Sequence, residues 1–170
     1  WYILKACTGI PTTTACPERG KLVAAYKGDN EIYNIEVHGD HVYALTKSFT
    51  LYKLNKSNLS LVTSTNIYGS SIIDRNDANR DGIAVVGEGA DKYVYLLSHK
   101  KQKICKFNAS DLSDSNFVGR STNCIGSIKK AQGMAVSGKT TAITTDDFLY
   151  VWRSYTAGTI YKYDAYTGDY

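Results

Sequence analysis

The stretch Phe148-Leu-Tyr-Val-Trp152, with Thr159-Ile-Tyr-Lys-Tyr163 and Asp164-Ala-Tyr-Thr-Gly-Asp169 after it, decides the fold. Two runs of aromatic and β-branched residues lead into a segment of turn formers, which indicates two strands and a tight turn. Elsewhere in the 170 residues no segment keeps a 3.6-residue apolar period for three helical turns. The sequence therefore predicts an all-β protein.

The same arrangement occurs twice more upstream. Val42, Val94 and Leu149 hold equivalent positions, so the repeat length is about 52 and then 55 residues, which suits the four-stranded blade of a β-propeller. In each copy a tyrosine stands between two apolar residues, which is typical of a strand packed on both faces. The two upstream copies comprise residues 41–45, 50–54 and 55–60, and residues 93–97, 103–107 and 108–113.

An apolar run before each copy predicts the innermost strand of a blade, at 33–37, 83–86 and 133–136. Acidic turns follow at Asp40, at Asp91 and at Asp146 with Asp147, and outer strands are predicted at 61–63 and 116–118. We therefore predict a partial blade over 1–28 and blades over 29–66, 82–120 and 131–170. Propellers close with four to eight blades. About three blades accordingly indicate part of a larger ring or a ring completed by oligomerisation, with open edges at 1–5 and 159–163.

The cysteines fall into two local pairs, Cys7 with Cys16 and Cys105 with Cys124. Neither pair has the spacing of a zinc site or a thioredoxin-like redox motif. Four cysteines allow three connectivities, and the short separations favour a disulfide within each pair. Disulfides indicate an oxidising compartment, hence an extracellular or secreted protein. The alternative is buried free thiols.

The blade pattern resembles the propeller superfamily of YVTN, NHL and quinoprotein-type repeats. The residues that carry the resemblance are Leu149-Tyr-Val151 and Thr159-Ile-Tyr-Lys-Tyr-Asp-Ala-Tyr-Thr-Gly168. A narrower resemblance, to the sema domain of semaphorins and plexins, rests on Val42-Tyr43, on Leu51-Tyr-Lys-Leu54 and on Cys105. These motifs imply the fold, and propellers include enzymes, receptors and scaffolds, so they do not imply a function.

Asp77-Ala-Asn79-Arg-Asp81-Gly82 matches a DxNxDG calcium loop, in which alternate oxygen ligands face one cation. The apolar run after Gly82 makes the segment similar to the FG-GAP repeats of integrin-type propellers. Those repeats have a further acidic ligand where residues 83–86 are apolar here. Calcium on Asp77, Asn79 and Asp81 is thus the one cofactor we predict, and a polar loop between blades is the alternative.

Three sequons, at Asn55, Asn58 and Asn108, lie in predicted turns and permit N-glycosylation of a secreted protein. Turn chemistry explains the same asparagines. His38 and His41 form an HxxH pattern across a predicted hairpin, where two imidazoles without a third ligand are typical of surface turn residues rather than of a metal site.

The net charge is +4 and the lysines are scattered, which disfavours a nucleic-acid groove. No uncharged stretch is long enough to insert into a membrane, and no serine or cysteine is paired with a base for nucleophilic catalysis. We therefore expect a non-enzymatic extracellular module that binds protein or glycan or builds an assembly with copies of itself. The alternatives are a lactonase- or quinoprotein-like enzyme, a sema-like cell-surface receptor or ligand domain, and a small oligomeric lectin.

Overall fold

The structure is a computed structural model that describes residues 24–27, 31–67, 82–87, 89–99, 101–126, 128, 131–137, 147–153 and 158–170. The described residues form eleven strands and one short 3₁₀ turn at Gly89–Asp91. The strands are β1 (Ile32–His38), β2 (His41–Thr46), β3 (Thr50–Asn55), β4 (Leu61–Asn66), β5 (Gly82–Val86), β6 (Tyr93–Ser98), β7 (Lys103–Asn108), β8 (Cys124–Ile125), β9 (Ala131–Val136), β10 (Phe148–Arg153) and β11 (Thr159–Asp164).

These strands make three antiparallel sheets in which each strand pairs with its neighbour along the chain. Blade 1 contains β1 to β4, blade 2 contains β5 to β8, and blade 3 contains β9 to β11 with β10 in the middle. The inner strand β5 lies against β1 on one side and β9 on the other. This succession of meandering sheets is part of a β-propeller, and the predicted fold class is confirmed.

One turn recurs after the third strand of every blade. In blade 1 the Asn55 Oδ1 atom accepts hydrogen bonds from the Ser57 backbone N–H at 3.0 Å and from its hydroxyl at 2.7 Å. Asn108 and Asp164 likewise accept a backbone N–H two residues later in blades 2 and 3. Asn and Asp favour such turns because the side chain replaces a backbone acceptor. Four residues after the capping residue the backbone has a positive φ, at Leu59 (58°), Leu112 (63°) and Gly168 (73°).

Neighbouring blades pack face to face, because alternate residues of a strand point to opposite sides of its sheet. Tyr43 and Leu45 of blade 1 share a core cluster with Val94 and Leu96 of blade 2. We call the side that carries Tyr43 the forward face of a blade and the opposite side its rear face. Burying one leucine stabilises a fold by about 1.5–3 kcal/mol, so these clusters hold the arc together. The next cluster joins Tyr95, Leu97 and Ile104 of blade 2 to Leu149 and Val151 of blade 3.

The outer strands differ from the prediction in blade 2. In blade 1, β4 begins at Leu61 as expected. In blade 2 the outer strand is Cys124–Ile125, paired with Ile104 and Cys105, and the predicted strand at 116–118 is wrong. Phe117 is buried, and its ring lies 6.1 Å from that of Tyr95. The apolar character of this segment therefore reflects a loop side chain packed over the blade, not a strand.

The rear face of blade 1 is partly covered within the chain. Val42, Ala44, Tyr52 and Leu54 form a buried cluster against which Ala24 and Tyr26 pack. The Tyr26 and Tyr52 rings meet edge to face with centroids 5.5 Å apart. In the part of the chain that the structure describes, no helix is long and apolar enough to cross a membrane.

Candidate functional site: a pocket between blades 1 and 2

A pocket of about 340 Å³ opens where the β1–β2 turn of blade 1 approaches the β5–β6 connection of blade 2. The β1–β2 hairpin forms one wall of the pocket. Gly89 and Lys92 of the β5–β6 connection form the other wall, which the packing of the two blades brings into place. Its lining residues are Val37, His38, Gly39, Asp40, His41, Gly89 and Lys92. A concave site with several convergent polar groups at an interface between packed units is the usual setting for ligand binding.

The β1–β2 turn holds the two histidines in place. His38 and His41 are cross-strand partners, and the turn Gly39-Asp40 joins them. Gly39 has a φ of 56°, a conformation that glycine adopts without the strain of a side chain. The His38 Nε2 atom lies 2.8 Å from the carbonyl oxygen of Gly87, so the imidazole N–H donates to blade 2. This contact fixes the turn of blade 1 against its neighbour.

His41 lines the pocket from the blade 1 side. Its ring packs beside Tyr43 with centroids 6.3 Å apart. Its Nδ1 atom is buried and has no hydrogen-bond partner among the described residues. Burial lowers the pKa of His41 below its usual 6.5, and the charges of Lys53 and Lys92 lower it further, against the opposing effect of Asp40. The imidazole is therefore neutral at pH 7.

Two lysine ammonium groups lie near Gly39 in the turn beside His41. The Lys92 Nζ atom lies 3.6 Å from the point that a side chain on Gly39 would occupy. Lys56 Nζ donates to the Gly39 carbonyl at 2.6 Å. This hydrogen bond directs the Lys56 side chain toward the β1–β2 turn of its own blade. Lys92 is thus the cation that faces the open volume, with Asp40 at the rim. The arrangement suits a ligand that carries a carboxylate, with Lys92 as its charge partner.

The predicted disulfide of blade 2 lies away from this pocket. Cys105 and Cys124 are opposite each other on β7 and β8, and a disulfide bond joins their sulfur atoms. The bond links the third strand to the outer strand, rather than to the connection leading into the next blade. Cys7 and Cys16 lie outside the described residues, and so do Asp77, Asn79 and Asp81 of the predicted calcium loop.

Of the three sequon asparagines, Asn55 and Asn108 are the last residues of β3 and β7, and Asn58 lies in the turn after β3. The Oδ1 atoms of Asn55 and Asn108 cap their own turns, and Asn58 Oδ1 accepts from the Ser60 N–H at 3.0 Å. These contacts show turn chemistry at the three asparagines, and their N-glycosylation stays a prediction. Within the described ranges, no three His, Cys, Asp or Glu side chains group closely enough to hold a metal ion.

Sequence reasoning missed Lys92 and Gly89 as site residues. Lys92 aligns with Asp40 of blade 1 and Asp147 of blade 3. The three share one role, since their carbonyls accept from the N–H groups of Lys56, Ala109 and Ala165. A lysine where the other repeats have aspartate is the signal in the sequence that could have identified it.

No protein-family model and no curated protein sequence matches the chain. Among solved structures, a protein of Bacteroides fragilis described as exported is similar with a TM-score of 0.47 and 13% identity, over 84% of this chain and 38% of its own. BamB from Moraxella catarrhalis is similar with a TM-score of 0.43 and 15% identity, over 85% of this chain and 40% of its own. The chain spans about two fifths of the length of both structures.

Proposed function

We propose that this chain is a non-enzymatic extracellular binding module and that the pocket between blades 1 and 2 recognises a carboxylate on its ligand. The observation that carries the proposal is that His41 of blade 1 and Lys92 of blade 2 line the same pocket, where Lys92 supplies a positive charge. A lysine ammonium group and a carboxylate form a strong, charge-assisted hydrogen bond. An acidic sugar and an acidic side chain of a protein both offer this chemistry.

The extracellular setting is supported by the disulfide between Cys105 and Cys124. Such bonds persist in oxidising compartments and are rare where thiols are kept reduced. Cys105 is fully buried and the bond anchors the two-residue strand β8. A structural role of this kind suits a protein that remains outside the reducing cytosol.

Titration of ¹⁵N-labelled protein by NMR tests the pocket. The two carboxylate probes are D-glucuronate and an acetylated glutamate amide, and the neutral match for the sugar is D-glucose. We expect both carboxylate probes to shift the resonances of Gly39, His41 and Gly89. The probe that resembles the natural ligand more closely, sugar or amino acid, should have the lower Kd. D-glucose should leave these signals in place. Recovery of both probes unchanged after incubation would agree with binding, whereas conversion of either probe would contradict the non-enzymatic assignment.

Two variants serve as the matched pair for this titration. Lys92→Met removes the ammonium group and should weaken carboxylate binding about tenfold, which corresponds to about 1.4 kcal/mol. Lys101→Met removes an equally charged but exposed side chain in the β6–β7 turn, at the opposite end of blade 2, and should change nothing. Binding should tighten as the pH falls through the lowered pKa of His41, because the imidazolium adds a second positive charge. Equal Kd values for both variants would overturn the proposal.

A further inference from the structure

We propose that the loop between β7 and β8 of blade 2 is a redox-sensitive strap that fastens blade 3 to blade 2. The strap comprises residues 114–123, and the disulfide between Cys105 and Cys124 closes it. While the bond is intact the strap holds the turn after β11, and reduction of the bond releases that turn. This proposal is independent of the ligand pocket, which lies between blades 1 and 2.

Phe117 is the apolar anchor of the strap. Its side chain is 1% exposed although it belongs to a loop, and it is part of the core cluster that contains Leu149 and Val151 of blade 3. Gly168, in the turn after β11, lies so close to the Phe117 ring that a Cβ atom there would be 3.0 Å from Phe117 Cδ1. A loop side chain of blade 2 is therefore buried against the next blade.

Polar contacts attach the tip of the strap to the same turn. The Val118 backbone N–H donates to the Tyr166 carbonyl at 3.1 Å. The Arg120 guanidinium group donates to the Thr167 carbonyl at 2.9 Å and to the Asp169 carboxylate at 2.6 Å. Both members of this ion pair are exposed, so the pair alone would stabilise the contact little. Together with the buried phenylalanine, these contacts hold the blade 3 turn on its buried and its exposed sides.

The strap returns to blade 2 through a very short outer strand. β4 of blade 1 has six residues, whereas β8 has two, and the disulfide joins one of these two residues to β7. Beside the disulfide, the Lys106 N–H donates to the carbonyl of Asn123, the last residue of the strap, at 2.8 Å. The covalent bond therefore holds this end of the strap where a full outer strand would hold it through backbone pairing.

Reduction removes this restraint. A dithiol such as dithiothreitol attacks the sulfur atom of Cys124, the more exposed of the two cysteines, and Cys105 leaves as a thiolate that takes up a proton. The second thiol of the reagent then displaces Cys124, so that the reagent is oxidised to a cyclic disulfide and both cysteines become thiols. A disulfide restricts the open states of the loop that it closes, so its loss makes opening of the strap more frequent. Each opening takes Phe117 and Arg120 away from the blade 3 turn.

The first experiment measures hydrogen exchange by mass spectrometry before and after reduction. It uses the double variant Cys7→Ser/Cys16→Ser, so that dithiothreitol acts only on the bond in blade 2; if this variant does not fold, the same comparison is made on wild type. Reduction should speed exchange in the turn over residues 164–168 about tenfold or more, because the strap opens more often. Exchange in β2 and β3 of blade 1 should stay the same. Unchanged exchange at 164–168 would overturn the proposal, and so would equal acceleration in all three blades, which would show that the bond stabilises the whole fold.

The second experiment changes the strap while the bond stays intact. Phe117→Ala removes the buried anchor and should speed exchange at 164–168 in the oxidised protein, and reduction should then add little further acceleration. Val118→Ala is the matched control, since it removes a side chain that is 44% exposed and keeps the backbone hydrogen bond to Tyr166. It should leave exchange unchanged in the oxidised protein. If the accelerations caused by Phe117→Ala and by reduction multiply in full, the strap and the bond act separately, which would contradict the proposal.

Discussion

Tyr43 and Tyr95 occupy the same position in successive blades, and both are fully buried. The Tyr95 hydroxyl donates to the Ala165 carbonyl, whereas the Tyr43 hydroxyl has no partner among the described residues. Burial raises the pKa of Tyr43 to about 12. The buried Tyr43 hydroxyl therefore lowers the stability of the fold, whereas the Tyr95 hydroxyl stabilises the interface between blades 2 and 3.

We predict opposite effects when each hydroxyl is removed. Tyr95→Phe should lower the free energy of unfolding by about 1–3 kcal/mol, because the Ala165 carbonyl loses its donor. Tyr43→Phe should leave stability unchanged or raise it by up to about 1 kcal/mol, because a buried unpaired hydroxyl is lost. Urea unfolding of both variants at pH 7 measures the difference. Equal losses would contradict the assigned hydrogen bond.

Lys106 is a buried charge held by aromatic rings. It is 1% exposed, and its Nζ atom lies 3.9 Å from the centroid of the Tyr93 ring and 3.4 Å from the Asn116 carbonyl oxygen. Burial lowers the pKa of Lys106 from its usual 10.5, and Asp91 opposes this effect. The folded state therefore releases this proton at a lower pH than the unfolded chain does.

The sign of the resulting pH dependence follows from proton binding. Between the lowered pKa and 10.5 the unfolded state holds more protons than the folded state, so stability rises with pH in this window. We expect wild type to gain stability relative to Lys106→Met as the pH rises toward 10.5, measured by urea unfolding at a series of pH values. Lys106→Ala should cost about 2–4 kcal/mol through lost packing of the side-chain stem. Lys101→Met removes an exposed ammonium group and is measured beside Lys106→Met as the control for the change in net charge.

At the scale of strands, local sequence predicts most of the fold. The first three strands of each blade lie where the repeated sequence pattern, with its alternation of residues along each strand, predicts them. The outer strand of blade 2 could not be predicted in this way. β8 has two residues, and cross-strand pairing with Ile104 and Cys105 defines it rather than its own composition. Phe117 was misassigned because an apolar loop residue and a short strand have the same sequence signal.

The turn after β11 depends on contacts made by blade 2. Gly168 has a φ of 73°, and a Cβ atom there would lie 2.8 Å from Ile125 Cγ2 and 3.0 Å from Phe117 Cδ1. Gly119 has a φ of 74°, with no atom within 4 Å of its Cβ position. The two glycines therefore share backbone conformation and differ in surrounding space.

We predict that Gly119→Ala costs about 1–2 kcal/mol, the strain of a left-handed backbone. Gly168→Ala should cost about 2–5 kcal/mol, because overpacking against Ile125 and Phe117 adds to that strain. Thermal and urea unfolding of the two variants, side by side, measure the difference. Similar losses would show that the turn moves away from blade 2 without cost.

At the scale of the whole molecule, the pocket could be predicted only in part. His38 and His41 are three residues apart and were identified as a pair across a hairpin. Gly89 and Lys92 belong to another blade about 50 residues later in the repeat. Their meeting with His41 depends on how two sheets pack, and neither periodicity nor motif spacing contains that information. The role of the histidines changes accordingly, from surface turn residues to the lining of a site.

Calcium binding by Asp77, Asn79 and Asp81 remains a prediction from the sequence. The loop enters blade 2 at Gly82, where β5 begins, so a bound cation would restrain the connection between blades 1 and 2. We expect a chelator to lower the Tm of wild type and to leave the Tm of Asp81→Ala unchanged. Asp114→Ala, which removes an exposed carboxylate elsewhere in blade 2, should keep the calcium dependence. A Tm that does not depend on calcium would contradict the prediction and favour the alternative, a polar loop between blades.

The forward direction of the contacts between blades affects how the chain matures during synthesis. Lys53, Tyr95 and Arg120 donate to carbonyls of the blade that follows their own. A ribosome delivers the donors first, and one repeat of about 52 residues takes roughly 3–10 s to translate. During that delay each hydroxyl, ammonium or guanidinium group stays hydrated, and the forward face of its blade is not yet covered by the next blade. Each blade therefore completes its native contacts only when the next blade has been synthesised. Folding should accordingly lag behind translation by one blade.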